Sequence, residues 1–64
     1  STTTRVKLVT GNDATLFGER LERALASLPD GAEVLGIEFD TCATDGGGVH
    51  YAALIRVDSA APWD

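Results

Sequence analysis

Two stretches of alternating apolar and polar residues, joined by a glycine-rich loop, constrain the fold of this chain more than any other feature. They lie between Ala32 and Asp58, in the segment AEVLGIEFDTCATDGGGVHYAALIRVD. A period of two is typical of half-buried β-strands, so we predict strands at Glu33–Cys42 and Val49–Asp58. The odd-numbered residues of both strands are mostly apolar and are expected to share one core.

The glycine-rich loop leaves two registers open for this hairpin. Paired residues of an antiparallel ladder point to the same face, so the loop holds either three residues, Asp45-Gly46-Gly47, or five, Asp45–Val49. The shorter loop sets Cys42 opposite His50, and the longer one sets Glu38 opposite Arg56. Glycine supplies the positive φ angles that either turn needs. A phosphate-binding loop is not expected, because a strand rather than a helix follows and no lysine is near.

The first half of the chain predicts one more strand and one helix. Arg5–Thr10 alternates, and we place Val6 and Leu8 on the core face, with Arg5, Lys7 and Val9 on the other. Ala14–Leu28 has helical periodicity, and its apolar stripe is formed by Phe17, Leu21, Ala24, Leu25 and Leu28. Asn12 or Asp13 can cap this helix, and Pro29-Asp30-Gly31 ends it.

These elements predict an α+β domain of β-α-β-β order, with one helix on one face of a three-stranded antiparallel sheet. We expect the strand order 1-3-2, because the third strand is apolar on both faces and suits the centre. The order 1-2-3, in which strands 1 and 2 are parallel, is the alternative. We expect residues 1–64 to form a single domain, with an ordered core at about 4–58 and a tail at 59–64.

Length and charge limit the possible partners. A chain of 64 residues buries a small core, with a single cysteine and no disulfide or metal to support it, so self-association is expected. The first 29 residues carry four basic and three acidic side chains, whereas the rest carry one basic and seven acidic ones. Nucleic acid is therefore not an expected partner. No apolar run reaches the length of a membrane span or a signal peptide, and a free cysteine favours the cytoplasm.

One helix can cover only one face of the sheet, so we expect the other face to be the partner surface. Its apolar residues are predicted to be Val9, Val34, Gly36, Ala52 and Leu54, ringed by Arg5, Lys7, Glu38, Asp40 and Arg56. An exposed apolar patch commonly marks an association surface. The exposed edge of strand 1 or strand 2 offers a second route, by strand-to-strand pairing. The candidate ligand or partner residues are Val34, Gly36, Glu38, Cys42, His50, Ala52, Leu54, Arg56 and Trp63.

Catalysis has one weak candidate. Cys42, Asp40 and His50 fall on one sheet face, and a thiolate–imidazole pair is what nucleophilic catalysis requires. No third group or oxyanion hole can be identified, so we expect no enzyme and no metal site. Trp63 lies past the last strand and is either part of a disordered tail or an anchor against a neighbouring subunit or flat ligand.

Two resemblances follow from these patterns. The pattern RVKLV, LFGERLERALASL, VLGIEFDTCA and VHYAALIRV resembles very short sporulation-associated and uncharacterised bacterial or phage proteins, over about residues 5–57. That likeness implies the same element order and no activity. The chain is also similar to dodecin, a hollow flavin-storing oligomer, in its length, its acidity and its β-α-β-β order. The similar segments are VTGNDATLFGERLERALA and GGVHYAALIRV.

The dodecin resemblance implies flavin as an alternative ligand, but the residues of the flavin site differ. Glu33-Val34 stands where dodecins carry the stacking Trp, and Ala52-Ala53 where they carry a Gln, leaving Trp63 as the only substitute. We therefore expect a non-catalytic module that binds itself or another protein through its sheet. The alternative is a small-ligand storage oligomer for flavin or nucleotide, lined by Trp63, Tyr51 and His50.

Overall fold

The strands and the helix follow the predicted order. The computed structural model describes residues 1–63 and places β1 at Thr3–Gly11, α1 at Ala14–Ala26, β2 at Glu33–Ala43 and β3 at Val49–Ser59. The sheet is antiparallel throughout with the order β1-β3-β2, which confirms the predicted topology over the 1-2-3 alternative. The central strand β3 supplies the middle of the core, where Ala53, Ile55 and Val57 have no exposed surface.

Local chemistry sets both ends of α1. The backbone N–H of Leu16 donates to the Asp13 carboxylate at 2.9 Å, so Asp13 rather than Asn12 is the N-cap. The helix ends at Ala26, two residues before the predicted Leu28, and Ser27 is its C-cap. The apolar stripe is confirmed, because Ala24 is buried and the other four members pack against the core.

The face assignment of β1 was wrong. Val9 is only 7% exposed, whereas Val6 and Leu8 are 61% and 65% exposed, so Val9 faces α1 and the other two face away. The pairing with β3 explains the difference, because it sets Val9 opposite the buried Ala53. Gly11 lies on the same face, where the strand passes so close to α1 that a Cβ would stand 3.0 Å from that of Phe17. A shift of one residue inverts every side chain of a strand.

The hairpin has the shorter of the two loops. The N–H of Thr44 donates to the carbonyl of Gly48 at 2.9 Å and encloses Asp45-Gly46-Gly47, which excludes the five-residue loop. Gly46 and Gly47 have φ angles of 91° and 85°, a region that L-residues rarely adopt. This register extends along β2 to Gly36, where a bulge between Val34 and Gly36 interrupts it.

The helix covers less of the sheet than expected. It lies over β1 and β3, and none of its Cα atoms is within 8 Å of a Cα atom of β2. Ile37 still packs against the core, but Phe39, which was predicted to be a core residue, is 63% exposed. A helix of this width cannot span three strands at about 4.8 Å spacing when it is centred on the first pair.

The molecule is elongated along one axis. It measures 47 × 16 × 14 Å, and its radius of gyration is 13.3 Å, against about 11 Å for a globular chain of this length. Its accessible surface of 4319 Å² also exceeds the roughly 3,900 Å² typical of a monomer of this mass. No helix among residues 1–63 is long and apolar enough to span a membrane.

Candidate functional site

The candidate site is the sheet face that α1 does not cover, which we call the open face. Paired residues of an antiparallel sheet point to the same side, so the registers identify its members. They are Thr4, Val6, Leu8 and Thr10 in β1, His50, Ala52, Leu54 and Arg56 in β3, and Gly36, Glu38, Asp40 and Cys42 in β2. The open face is therefore a continuous surface contributed by all three strands.

The apolar part of the open face lies on β1 and β3. Leu8 is directly opposite Leu54, Val6 is in the next row along β1, and Ala52 flanks Leu54 on β3. Val6 and Leu8 are the two most exposed large aliphatic side chains among residues 1–63. Single exposed apolar residues are ordinary on protein surfaces, whereas these side chains lie next to one another on the open face.

The β2 side of the open face is acidic. Glu38 and Asp40 lie there, and Oε1 of Glu38 forms an ion pair with Nη2 of Arg56 at a distance of 3.5 Å. This pair is diagonal, because the shorter loop sets Leu54 rather than Arg56 opposite Glu38. Both partners are largely solvated, at 43% and 67% exposure, so the pair contributes little to stability. The open face is thus apolar along β1 and at Leu54, carries Arg56 on the central strand opposite Val6, and is acidic along β2.

Of the apolar patch and the charged ring predicted for the uncovered face, six residues lie on the open face and four do not. Val9 is buried beneath α1, and Arg5 and Lys7 share its side of β1, so they do not ring the patch. The bulge sets Val34 opposite the buried Val57, which places Val34 on the helix side as well. Strict alternation cannot anticipate a bulge, because the inserted residue shifts the pairing of everything beyond it.

Val6 and Leu8 are the open-face residues that sequence reasoning missed. The alternation of β1 has a period of two, and this period is the same whether Val6 and Leu8 face the core or the solvent. The sequence signal that could have identified the covered face is Gly11, which lies on the same face as Val9. A side chain at position 11 would clash with α1, so glycine fits there. The close approach of strand and helix at Gly11 marks that face as the covered one.

Cys42 and His50 are paired across β2 and β3, as the shorter loop predicts. Their side chains nevertheless bond elsewhere: Nδ1 of His50 lies 2.7 Å from Oδ1 of Asn12, and the Cys42 thiol donates to the carbonyl of Ala43 at 3.4 Å. An amide oxygen only accepts, so that contact places the proton on Nδ1. Asp40 accepts from the N–H of Thr41 at 3.0 Å. These contacts hold each side chain within its own strand or against a turn.

No metal centre is formed in the part of the chain that the structure describes. Among residues 1–63, no three side chains of His, Cys, Asp or Glu converge closely enough to hold an ion. The three candidate ligand-lining residues are also separated. Trp63 donates to Ser27 at the end of α1, Tyr51 stacks on Phe17 in the first turns of α1, and His50 is on the open face. Within one chain, Trp63, Tyr51 and His50 therefore do not line a common pocket.

Neither edge strand pairs with a further strand among residues 1–63, although side chains bond the outward carbonyl of Thr10 on β1 and the outward N–H of Thr41 on β2. The Thr44–Gly48 bond shows that even-numbered residues of β2 bond to β3, so Ile37 and Phe39 direct their backbone groups outward. On β1 the alternation is reversed, and the backbone groups of Val6 and Leu8 point outward. Unpaired edges of this kind are templates for strand addition by another chain.

No known protein-family model, curated protein or solved structure matches the chain. The resemblances to short sporulation-associated proteins and to dodecin therefore rest on sequence pattern and element order alone. They add no residue to the site described above.

Proposed function

We propose that this chain is a small non-catalytic assembly and protein-interaction module that self-associates through the open face. The observation that carries the proposal is the apolar group formed by Val6, Leu8 and Leu54 on a face that α1 leaves bare. Burying apolar area there stabilises an oligomer by roughly 25 cal/mol per Å² before the costs of association.

A second copy is the occupant favoured by the shortage of core. Only five hydrophobic residues among 1–63 are buried, and the accessible surface is about a tenth larger than that of a typical monomer of this mass. Small domains commonly make up such a deficit by oligomerisation. A partner protein of another sequence would use the same surface.

The charge distribution selects one way of stacking two open faces. In this arrangement the two-fold axis lies between the two stacked sheets, runs parallel to the strands and passes midway between β1 and β3. It sets Leu8 of one copy over Leu54 of the other. The acidic β2 strands, with Glu38 and Asp40, then lie at opposite rims, where water screens them. Two sheets packed in this way form a sandwich about 10 Å thick.

Light scattering over a concentration series tests the proposal. A three-stranded face is small beside the roughly 800 Å² that each partner buries in a stable interface, so we expect association at micromolar concentrations. Replacing Val6 and Leu8 by Thr keeps the β propensity and removes apolar area, and this variant should be monomeric at concentrations where the wild type is not.

Phe39→Thr is the matched control, because Phe39 is equally exposed but lies on the helix side of β2. This variant should associate like the wild type. A wild-type chain that stays monomeric throughout the series would sink the proposal. Dissociation by Phe39→Thr alone would move the interface to the helix side of β2.

A further inference from the structure

A cleft along the β1 edge, beside α1, carries a second inference that does not depend on self-association. It lies between the edge strand β1 and the flank of α1, and its volume is about 510 Å³, within the usual range of small-molecule sites. Its lining residues are Lys7, Leu8, Val9, Thr10, Arg20, Arg23, Ala24 and Ser27. Three of them are basic and none is acidic, although the chain carries a net charge of −5.

The two arginines of the cleft have spare donor capacity. Arg20 and Arg23 are three residues apart and therefore neighbours on the flank of α1. Nη1 of Arg20 donates to the carbonyl of Thr10 at 2.9 Å, which fixes this side chain between helix and strand. A guanidinium has five N–H donors, so most of those on Arg20 are free of this bond. Arg23 forms no ion pair with any residue in 1–63, whereas Arg56 pairs with Glu38.

The remaining walls of the cleft are mainly apolar. Val9 and Ala24 are buried members of the core, and Leu8 comes from the strand edge. The indole of Trp63 adjoins the cleft, because its Nε1–H donates to Ser27 at 2.9 Å and its ring lies 4.5 Å from Nζ of Lys7. The cleft thus combines two neighbouring arginines, Arg20 and Arg23, with an apolar floor and an adjacent aromatic ring.

We propose that this cleft binds a small organic anion. Arg20 and Arg23 hold its carboxylate or phosphate group, and its apolar body lies against Val9 and Ala24. A guanidinium binds either head group through two parallel hydrogen bonds, which a lysine cannot do. The acidic remainder of the chain repels anions at long range, so binding depends on these direct contacts and on the apolar floor.

Fluorescence of Trp63, the single tryptophan of the chain, reports on the cleft. The full chain is titrated with octanoate, with octyl phosphate and with 1-octanol, which share an apolar body and differ in the head group. We expect saturable changes with one or both anions and at least about tenfold weaker binding of the alcohol, since a charged hydrogen bond is worth that factor or more. The tighter of the two anions identifies the head group.

The matched variants are Arg20→Gln with Arg23→Gln, and Arg56→Gln. The first should weaken anion binding about tenfold or more and leave octanol unchanged, and the second should change neither, because Arg56 is on the open face. Leu54→Thr, which alters the open face alone, should also leave anion binding intact. Loss of self-association and loss of anion binding are therefore separable results.

Arginine Nε–H signals in the NMR spectrum of the wild type give a second measurement that needs no variant. The signals of Arg20 and Arg23 should move with octanoate and stay in place with octanol. Equal binding of the alcohol and the anions, or unchanged anion binding by the double Gln variant, would overturn the proposal.

Discussion

The guanidinium of Arg56 lies across Gly36, and Nη2 is 2.8 Å from the point where a Cβ on Gly36 would stand. Glycine at this position lets the arginine reach over β2 to Glu38, at 3.5 Å. The position also has a cost, since Nε of Arg56 is buried and finds no hydrogen-bond partner among residues 1–63. The central strand of the open face therefore carries the Arg56 guanidinium, which is held by one solvated ion pair.

Replacing Gly36 by Ala should change the free energy of unfolding by less than about 1 kcal/mol, despite the 2.8 Å contact. The clashing atom is the end of a flexible side chain, and moving it gives up only an exposed ion pair. The displaced Nε also gains access to water. Urea unfolding at fixed protein concentration measures the effect, with Glu38→Gln as the control that removes the pair alone. A loss above about 2 kcal/mol would show that the arginine cannot move.

Two other glycines should respond in opposite directions to alanine. A Cβ on Gly11 would stand 3.0 Å from Cβ and 3.1 Å from Cα of Phe17, where backbone must shift, so Gly11→Ala should destabilise the fold by about 1–3 kcal/mol. A Cβ on Gly18 would meet no atom within 4 Å, so Gly18→Ala should stabilise it by about 0.5–1 kcal/mol through helix propensity. Thermal or urea unfolding distinguishes the two. Equal effects would contradict the packing of β1 against α1.

Val9 and Val6 test which face of β1 is covered. Val9→Ala removes two buried carbon atoms and should lower the free energy of unfolding by about 1.5 kcal/mol, with a further cost for the cavity. Val6→Ala changes an exposed side chain and should stay within about 0.5 kcal/mol. Both are measured by urea unfolding at a concentration where the chain is monomeric, because an oligomer would bury Val6. The reverse ranking would restore the face assignment that the alternation of β1 predicts.

The Trp63–Ser27 hydrogen bond ties the C-terminal segment to the end of α1. A double-mutant cycle of Trp63→Phe and Ser27→Ala should give a coupling energy of about 0.5–1 kcal/mol, the value of one partly solvated bond. The cycle cancels the separate loss of the bond from Ser27 to the Ala24 carbonyl. Trp63→Phe with Thr41→Ala, which are on different elements, should be additive. Additivity in the first cycle as well would mean that the bond does not form in solution.

The position of Trp63 was open between disorder and an anchor against another subunit or a ligand. The indole packs against the core of its own chain and contacts Lys7 and Ser27, and Ser59 is buried while its hydroxyl donates to the carbonyl of Ala61 at 2.6 Å. Sequence could not decide this, because a single aromatic residue after a strand has no period to read. Asp64, the last residue of the predicted tail, lies outside the described residues.

By itself, the sequence determined the element order, the apolar stripe of α1 and the central place of β3. Each depends on a repeated pattern, such as the stripe from Phe17 to Leu28, or on a strand that is apolar on both faces. The tertiary structure alone decided which face of β1 is buried, where β2 bulges and how far α1 reaches. A six-residue alternation such as Arg5–Thr10 fits a sheet equally well in either orientation, and the choice depends on contacts with Ala53 and Phe17 that are distant along the chain. For the same reason, both the open face and the cleft beside α1 became identifiable only once the helix had its place.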